Sequence, residues 1–162
     1  MPEGHTIHRL SRDLRSDFGG VPVRASSPQG RFENGAGLID GTTLSKSDAW
    51  GKHLFLTFDD RLILHVHLGL IGKFRPHPIE SSPKETVRLR LEGRQAWQLT
   101  GPQKCALVSF DEFVEVSGGL GPDPLRRGSR LNDFVENVSH RRTPIGVSLL
   151  DQSVIAGIGN VY

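Results

Sequence analysis

Three stretches of alternating polarity constrain the fold of this chain more than any other feature: HLFLTF (53–58), LILHVHL (62–68) and TVRLRL (86–91). Side chains along a strand point to opposite faces in turn, so this alternation predicts strands buried on one side. In the last stretch Val87, Leu89 and Leu91 share a face, and Asp59-Asp60 between the first two reads as a hairpin turn. AWQLT and ALVSF add two shorter segments, and the pattern predicts mostly strands as far as about residue 117. Many short antiparallel strands separated by turn residues predict a sandwich or barrel. Ahead of them, Ile7, Leu10, Leu14 and Phe18 recur at helical spacing, with Arg9, Arg12, Asp13 and Arg15 opposite. That is an amphipathic helix closed by Gly19-Gly20.

The pattern changes at GGLGPDPL (118–125), which is rich in turn residues, and at the polar RRGSR that follows. Leu131, Phe134, Val135 and Val138 then return to helical spacing, and Ile145, Leu149 and Leu150 predict another helix. The expected organisation is a β-rich domain over 1–117, a linker over 118–130, and a helical region over 131–162 whose break at Tyr162 reads as a truncation. Apolar residues at 36% of 162 can supply a core, and a formal charge of +2 with seven histidines leans mildly towards anionic partners. A single cysteine, Cys105, excludes an internal disulfide and a cysteine-based zinc site in this chain. No apolar run is long enough for a membrane span and no leader pattern is visible, so the N-terminus reads as native.

That terminus, MPEGHTIHRL, carries the first candidate chemistry. Without Met1, Pro2 would present a secondary amine, which can attack an aldehyde carbon to give an iminium. A proline at a helix start also has a purely conformational use, since it fixes φ and lacks an N–H that would need a partner. Glu3 beside it can donate a proton, or simply favour the helix dipole. Lys52, in WGKHLF, can act as an acid or a phosphate contact, or be a solvated strand-edge lysine. In HVHLGLIGKF, His65 and His67 alternate, but no third metal ligand stands at suitable spacing, so they read as polar-face strand residues. The apolar tip Leu70-Ile71 between two glycines suits a wedge that opens a base stack. IAGIGNVY is a glycine-rich turn with Asn160, able to hold a phosphate oxygen and expected to lead into a new helix.

In joint order, PEGHTIHRL, WGKHLF, HLGLIG, LGPDPL and LLDQSVIAGIGNVY resemble the formamidopyrimidine-DNA glycosylase and endonuclease VIII family of base-excision repair. The opening PEG-x-x-I resembles that of the endonuclease VIII branch, and QGRF (29–32) with WGKHLF and VHLGL is most similar to the second endonuclease VIII-like protein of actinobacteria. The resemblance implies an α+β fold: an N-terminal helix on a two-sheet antiparallel β-sandwich, then the start of a helix–two-turn–helix domain. It implies a DNA glycosylase and abasic-site lyase acting on oxidised bases, pyrimidines favoured. Pro2 would form a Schiff base at C1′, Glu3 would handle the ring-oxygen proton, and Lys52 would assist β-elimination. His67 and Asn160 would hold DNA phosphates, while Leu70 with Ile71 would fill the void left by a flipped base. It further implies no cofactor or metal in this chain, one zinc in a zinc finger beyond Tyr162, and a monomeric partner of DNA carrying oxidised bases or abasic sites. The expected location is the bacterial cytoplasm, at the nucleoid, with no membrane association. Departures from the pattern are Gly119 where relatives often carry an arginine, and Gly69 where one type of relative has glutamine. Two rival readings stand beside it: a non-catalytic DNA-binding fragment or interaction module that keeps Met1, and a tautomerase-like enzyme with Pro2 as general base.

Overall fold

The structure, a computed structural model, describes residues 1–160. Helix α1 (Gly4–Phe18) turns Ile7, Leu10, Leu14 and Phe18 into the core, as their spacing predicts. Eight strands follow in two four-stranded antiparallel sheets. In chain order they are β1 (Arg24–Ser26), β2 (Leu44–Trp50), β3 (His53–Phe58), β4 (Leu62–His67), β5 (Lys73–His77), β6 (Val87–Glu92), β7 (Ala96–Thr100) and β8 (Lys104–Val108). One sheet runs β1-β6-β7-β5 and the other β2-β3-β4-β8. Leu54, Leu56, Phe58, Leu64 and Val66 of the second sheet share one core with Phe74, Leu89, Leu91 and Leu99 of the first. Each such side chain contributes about 1.5–3 kcal/mol through removal from water. Helix α1 packs against β2 and reaches the other sheet at its end, where Trp97 Nε1 donates to Asp17 at 2.7 Å.

The Asp59-Asp60 turn forms as expected: both residues are left-handed (φ 49° and 56°), and Arg61 N–H donates to the Phe58 carbonyl at 3.1 Å. Such φ values suit aspartate better than most residues.

Two helices interrupt the region in which the pattern predicts mostly strands. Helix α2 (Glu33–Ile39) has two glycines in ENGAGLI and is held by burial of Ala36 and Ile39 rather than by propensity. Helix α3 (Phe110–Gly118) is set by a capping box: Ser109 accepts from Glu112 N–H, and the Glu112 carboxylate accepts from Ser109 N–H. It lies over the outer face of β3 and β4, where Phe113 meets Phe55 edge-on at 4.8 Å. Phe55 and His65 are therefore buried although they alternate with the core-facing residues. Helices α4 (Leu131–Ser139) and α5 (Ile145–Leu150) form where the spacing places them. The helix expected after Asn160 would start at Val161 and Tyr162, outside the described residues.

Candidate active site

Three segments far apart in sequence cross at three glycines. Gly4 N–H donates to the Gly157 carbonyl at 2.8 Å, which ties the chain terminus to the 155–160 loop. Gly51, in the tight connection between β2 and β3, lies against Ala156 and Gly157. A Cβ there would stand 3.0 Å from Ala156 Cβ, and one on Gly4 would stand 2.9 Å from Gly157 Cα. Gly157 itself has φ +98°, a conformation L side chains rarely adopt. This crossing brings together Glu3, the Gly51-Lys52 connection and the loop that ends in Asn160.

Glu3 precedes the first turn of α1 with extended backbone, and its carbonyl accepts from the N–H groups of Thr6 and Ile7. Its side chain is 9% exposed and packs against Gly159, where any Cβ would overlap the carboxylate. Pro2 is half-buried and lines a cleft of about 490 Å³, together with Thr6, Leu68, Leu70, Ile71 and Arg75. Leu70 and Ile71 are 70% and 78% exposed, so the apolar tip stands out as the sequence implies. Glu3, Lys52, His67 and Asn160 do not line this cleft.

His67 accepts from Gly69 N–H at its Nδ1 (3.1 Å), which leaves the ring proton on Nε2. Burial, together with the positive charge of Lys52, holds His67 below its ordinary pKa, while its hydrogen bond to Gln103 acts the other way. It is a neutral donor at neutral pH, adjacent to Lys52.

The expectation that His65 is a polar-face residue is corrected. It is 2% exposed and stacks on Phe55 at 4.6 Å. Its Nε2 lies 2.8 Å from His53 Nδ1, while its own Nδ1 has no partner. A buried N–H without an acceptor is rarer than an idle acceptor, so the proton belongs on His65 Nε2, which donates to His53. Burial and neighbouring positive charge lower His53 to about 4 and His65 to about 3. His53 in turn meets the His67 ring edge-on at 4.8 Å. Among the described residues, no group of three or more histidine, cysteine or acidic side chains is placed to hold a metal. Burial pushes the Cys105 thiol up to about 12, so it is not a ready nucleophile.

Sequence reasoning missed the clip that holds the crossing. Asp123, in LGPDPL, is 1% exposed. One of its carboxylate oxygens accepts from His8 Nε2 of α1 (2.7 Å) and from Gly51 N–H (2.7 Å), and the other accepts from Leu125 N–H (2.9 Å). Gln152 closes the far side: its Oε1 accepts from Gly157 N–H at 2.8 Å and its Nε2 donates to the Ile158 carbonyl at 2.9 Å. The readable signal was an aspartate fixed between two prolines, with a buried glycine beside it.

The N-terminal domain of formamidopyrimidine-DNA glycosylase, as a family model, matches residues 1–108, and the H2TH domain of the same enzyme matches residues 120–162. Over 168 aligned residues the chain is 44% identical to Endonuclease 8 1 of Mycobacterium tuberculosis, covering all of this chain and 63% of that protein. That relative bears the number 1, whereas QGRF and its companion motifs point to the second actinobacterial protein. The formamidopyrimidine-DNA glycosylase of Thermus thermophilus is 29% identical, with 61% of it covered. In fold, the chain superposes on Lactococcus lactis formamidopyrimidine-DNA glycosylase bound to DNA containing an abasic site. The TM-score is 0.79 at 22% identity, over 99% of this chain and 65% of that one. The chain thus spans slightly less than two thirds of the relatives it matches. Matched by the two family models over successive regions, this chain belongs to the formamidopyrimidine-DNA glycosylase and endonuclease VIII family.

Proposed function

We propose that the protein to which this chain belongs is a base-excision repair DNA glycosylase with abasic-site lyase activity, acting on oxidised bases and favouring pyrimidines. The observation that carries the reading is the seating of the chain terminus. Gly4 is bonded to Gly157, so the terminus is anchored instead of fraying, and a buried Glu3 packs on Gly159 of the same 155–160 loop that lies against Gly51.

With Met1 removed, the Pro2 nitrogen attacks C1′ of the damaged nucleotide. The new C–N bond forms as the glycosidic bond breaks, and the base leaves with a proton. Glu3 protonates the sugar ring oxygen as the ring opens, which gives the iminium. Loss of a C2′ proton and of the 3′ phosphate then nicks the strand, a β-elimination in which Lys52 assists, and water releases the opened sugar and restores Pro2. His67, through Nε2–H, and Asn160 hold backbone phosphates. Leu70 and Ile71 occupy the space of the extruded nucleotide, since C1′ is not reachable inside a stacked duplex. The zinc implied by the family has no ligand set among the described residues, and no step here passes through it.

Borohydride trapping on abasic-site DNA tests this reading with the full-length protein, whose loss of Met1 is first established by intact mass. A covalent adduct that vanishes on Pro2→Gly is expected; no adduct from the processed wild-type protein overturns the reading.

A further inference from the structure

We propose that the outer face of the β1-β6-β7-β5 sheet carries a second nucleic-acid site. There a cationic cleft binds the phosphodiester backbone of the DNA strand that leaves the apolar tip. The inference rests on the DNA reading above and extends it to a surface that none of the expected site residues occupies.

Strand β5 begins immediately after the Leu70-Ile71 tip. Lys73, Arg75 and His77 alternate along it, so all three project from one side. At about 3.4 Å per residue they span on the order of 14 Å, the rise of about four nucleotides of one strand. The 78–86 loop folds back over this face, where Arg90 Nη2 donates to the Ile79 carbonyl at 2.7 Å, and it brings Lys84 to the opposite wall. The enclosed cleft measures about 360 Å³, and no carboxylate lines it. Among the described residues, Lys73, Arg75 and Lys84 make no ion pair, and Glu80 of the loop faces a different cleft, beside Arg94.

The floor of the cleft makes it more than a charged edge. Gln98 pairs directly with Arg75 across β5 and β7, lines the cleft, and is only 7% exposed. Its side-chain amide has no hydrogen-bond partner among the described residues. Protection of an edge strand from pairing with another chain accounts for Lys73 and for Pro76 in β5. It does not account for an unpartnered amide, on a residue buried by more than nine tenths, at the bottom of a cationic cleft, where an anionic oxygen would accept from it. A strand is favoured over an isolated anion because the cleft adjoins the one at Pro2, with Lys73 and Arg75 lining both.

The test is equilibrium binding of the full-length protein to duplex DNA carrying a tetrahydrofuran abasic analogue, between about 50 and 200 mM salt. Arg75→Gln with Lys84→Gln is expected to flatten the dependence of log K on log salt by about 1.4–1.8, which is two phosphate contacts. Gln98→Leu is expected to weaken binding about three- to tenfold with the slope unchanged, because a neutral donor is lost. Arg61→Gln, at the turn between β3 and β4 and so at the opposite end of that hairpin from Lys52, is the control and should leave the slope as in wild type. A slope in the double variant equal to that control overturns the proposal. Because Gln98 is buried, its variant counts only with an unchanged thermal midpoint; otherwise the exposed Arg75 and Lys84 decide the question. Borohydride trapping by the wild-type protein is read separately. A flattened slope without an adduct leaves the cleft standing and removes the lyase, and an adduct with an unflattened slope does the reverse.

Discussion

Glu3 is held by the absence of a side chain. Gly159 has an ordinary backbone, so alanine is conformationally acceptable there, yet its Cβ would overlap the Glu3 carboxylate. Gly159→Ala is therefore expected to fold with a nearly unchanged thermal midpoint while displacing the acid by about an ångström. A shift of that size costs on the order of 10²-fold in rate. Single-turnover adduct formation on abasic-site DNA measures it, and a rate within a few-fold of wild type would show that the position of Glu3 is not critical. This dependence could not be read from GIGN alone. The motif announces a turn and an asparagine, but which neighbour needs the space at Gly159 is settled by tertiary contact. Pro2, Glu3, Leu70 and Ile71 stand out as candidates in the sequence because their types are unusual for their places: a proline-acid pair at a terminus, and an apolar loop tip.

Between elements, Asp123 does what no single strand or helix could do alone. It links α1 through His8 to the β2–β3 connection through Gly51, and it fixes its own loop through Leu125. Asp123→Ala strips a charged acceptor from three donors, two of them backbone N–H groups, and is expected to cost about 2–3 kcal/mol. Denaturant unfolding at neutral pH checks the value; a loss below about 0.5 kcal/mol would mean that the crossing glycines hold the segments without it. The elements themselves differ in how openly the sequence displays them. Helix α1 and strands β3, β4 and β6 carry clean periodicity. Helix α3 was missed although Ser109 and Glu112 spell a capping box, because the run of strand-like segments before it set the expectation. Helix α2 was less readable, since its glycines oppose the helix and only the burial of Ala36 and Ile39 favours it.

At the scale of the whole molecule, the histidine pair makes folding sensitive to acid. His53 and His65 are neutral in the fold, with pKa values lowered from 6.5 to about 4 and about 3. Between those values and 6.5 the unfolded chain binds more protons than the folded one. Their contribution to stability is thus complete above about pH 6.5 and is lost as pH falls through the window towards 4 and then 3. His65→Phe, which keeps the stack on Phe55, is expected to lose less stability than wild type between neutral pH and about pH 5; parallel urea midpoints decide it. The two-sheet architecture follows from strand alternation, but burial of the outward His65 does not, because α3 supplies the cover.

The seating of Gly4 on Gly157 also has a consequence for biosynthesis. Chains emerge from the ribosome N-terminus first, at about 5–20 residues per second, so the roughly 150 residues between the two glycines take on the order of ten to thirty seconds to appear. Throughout that interval the partner of Gly4 does not yet exist, and the Met1–Pro2 bond has no native tertiary structure around it. The same bond that later immobilises the terminus thus leaves a period, set by translation speed, in which Met1 lies on an open chain.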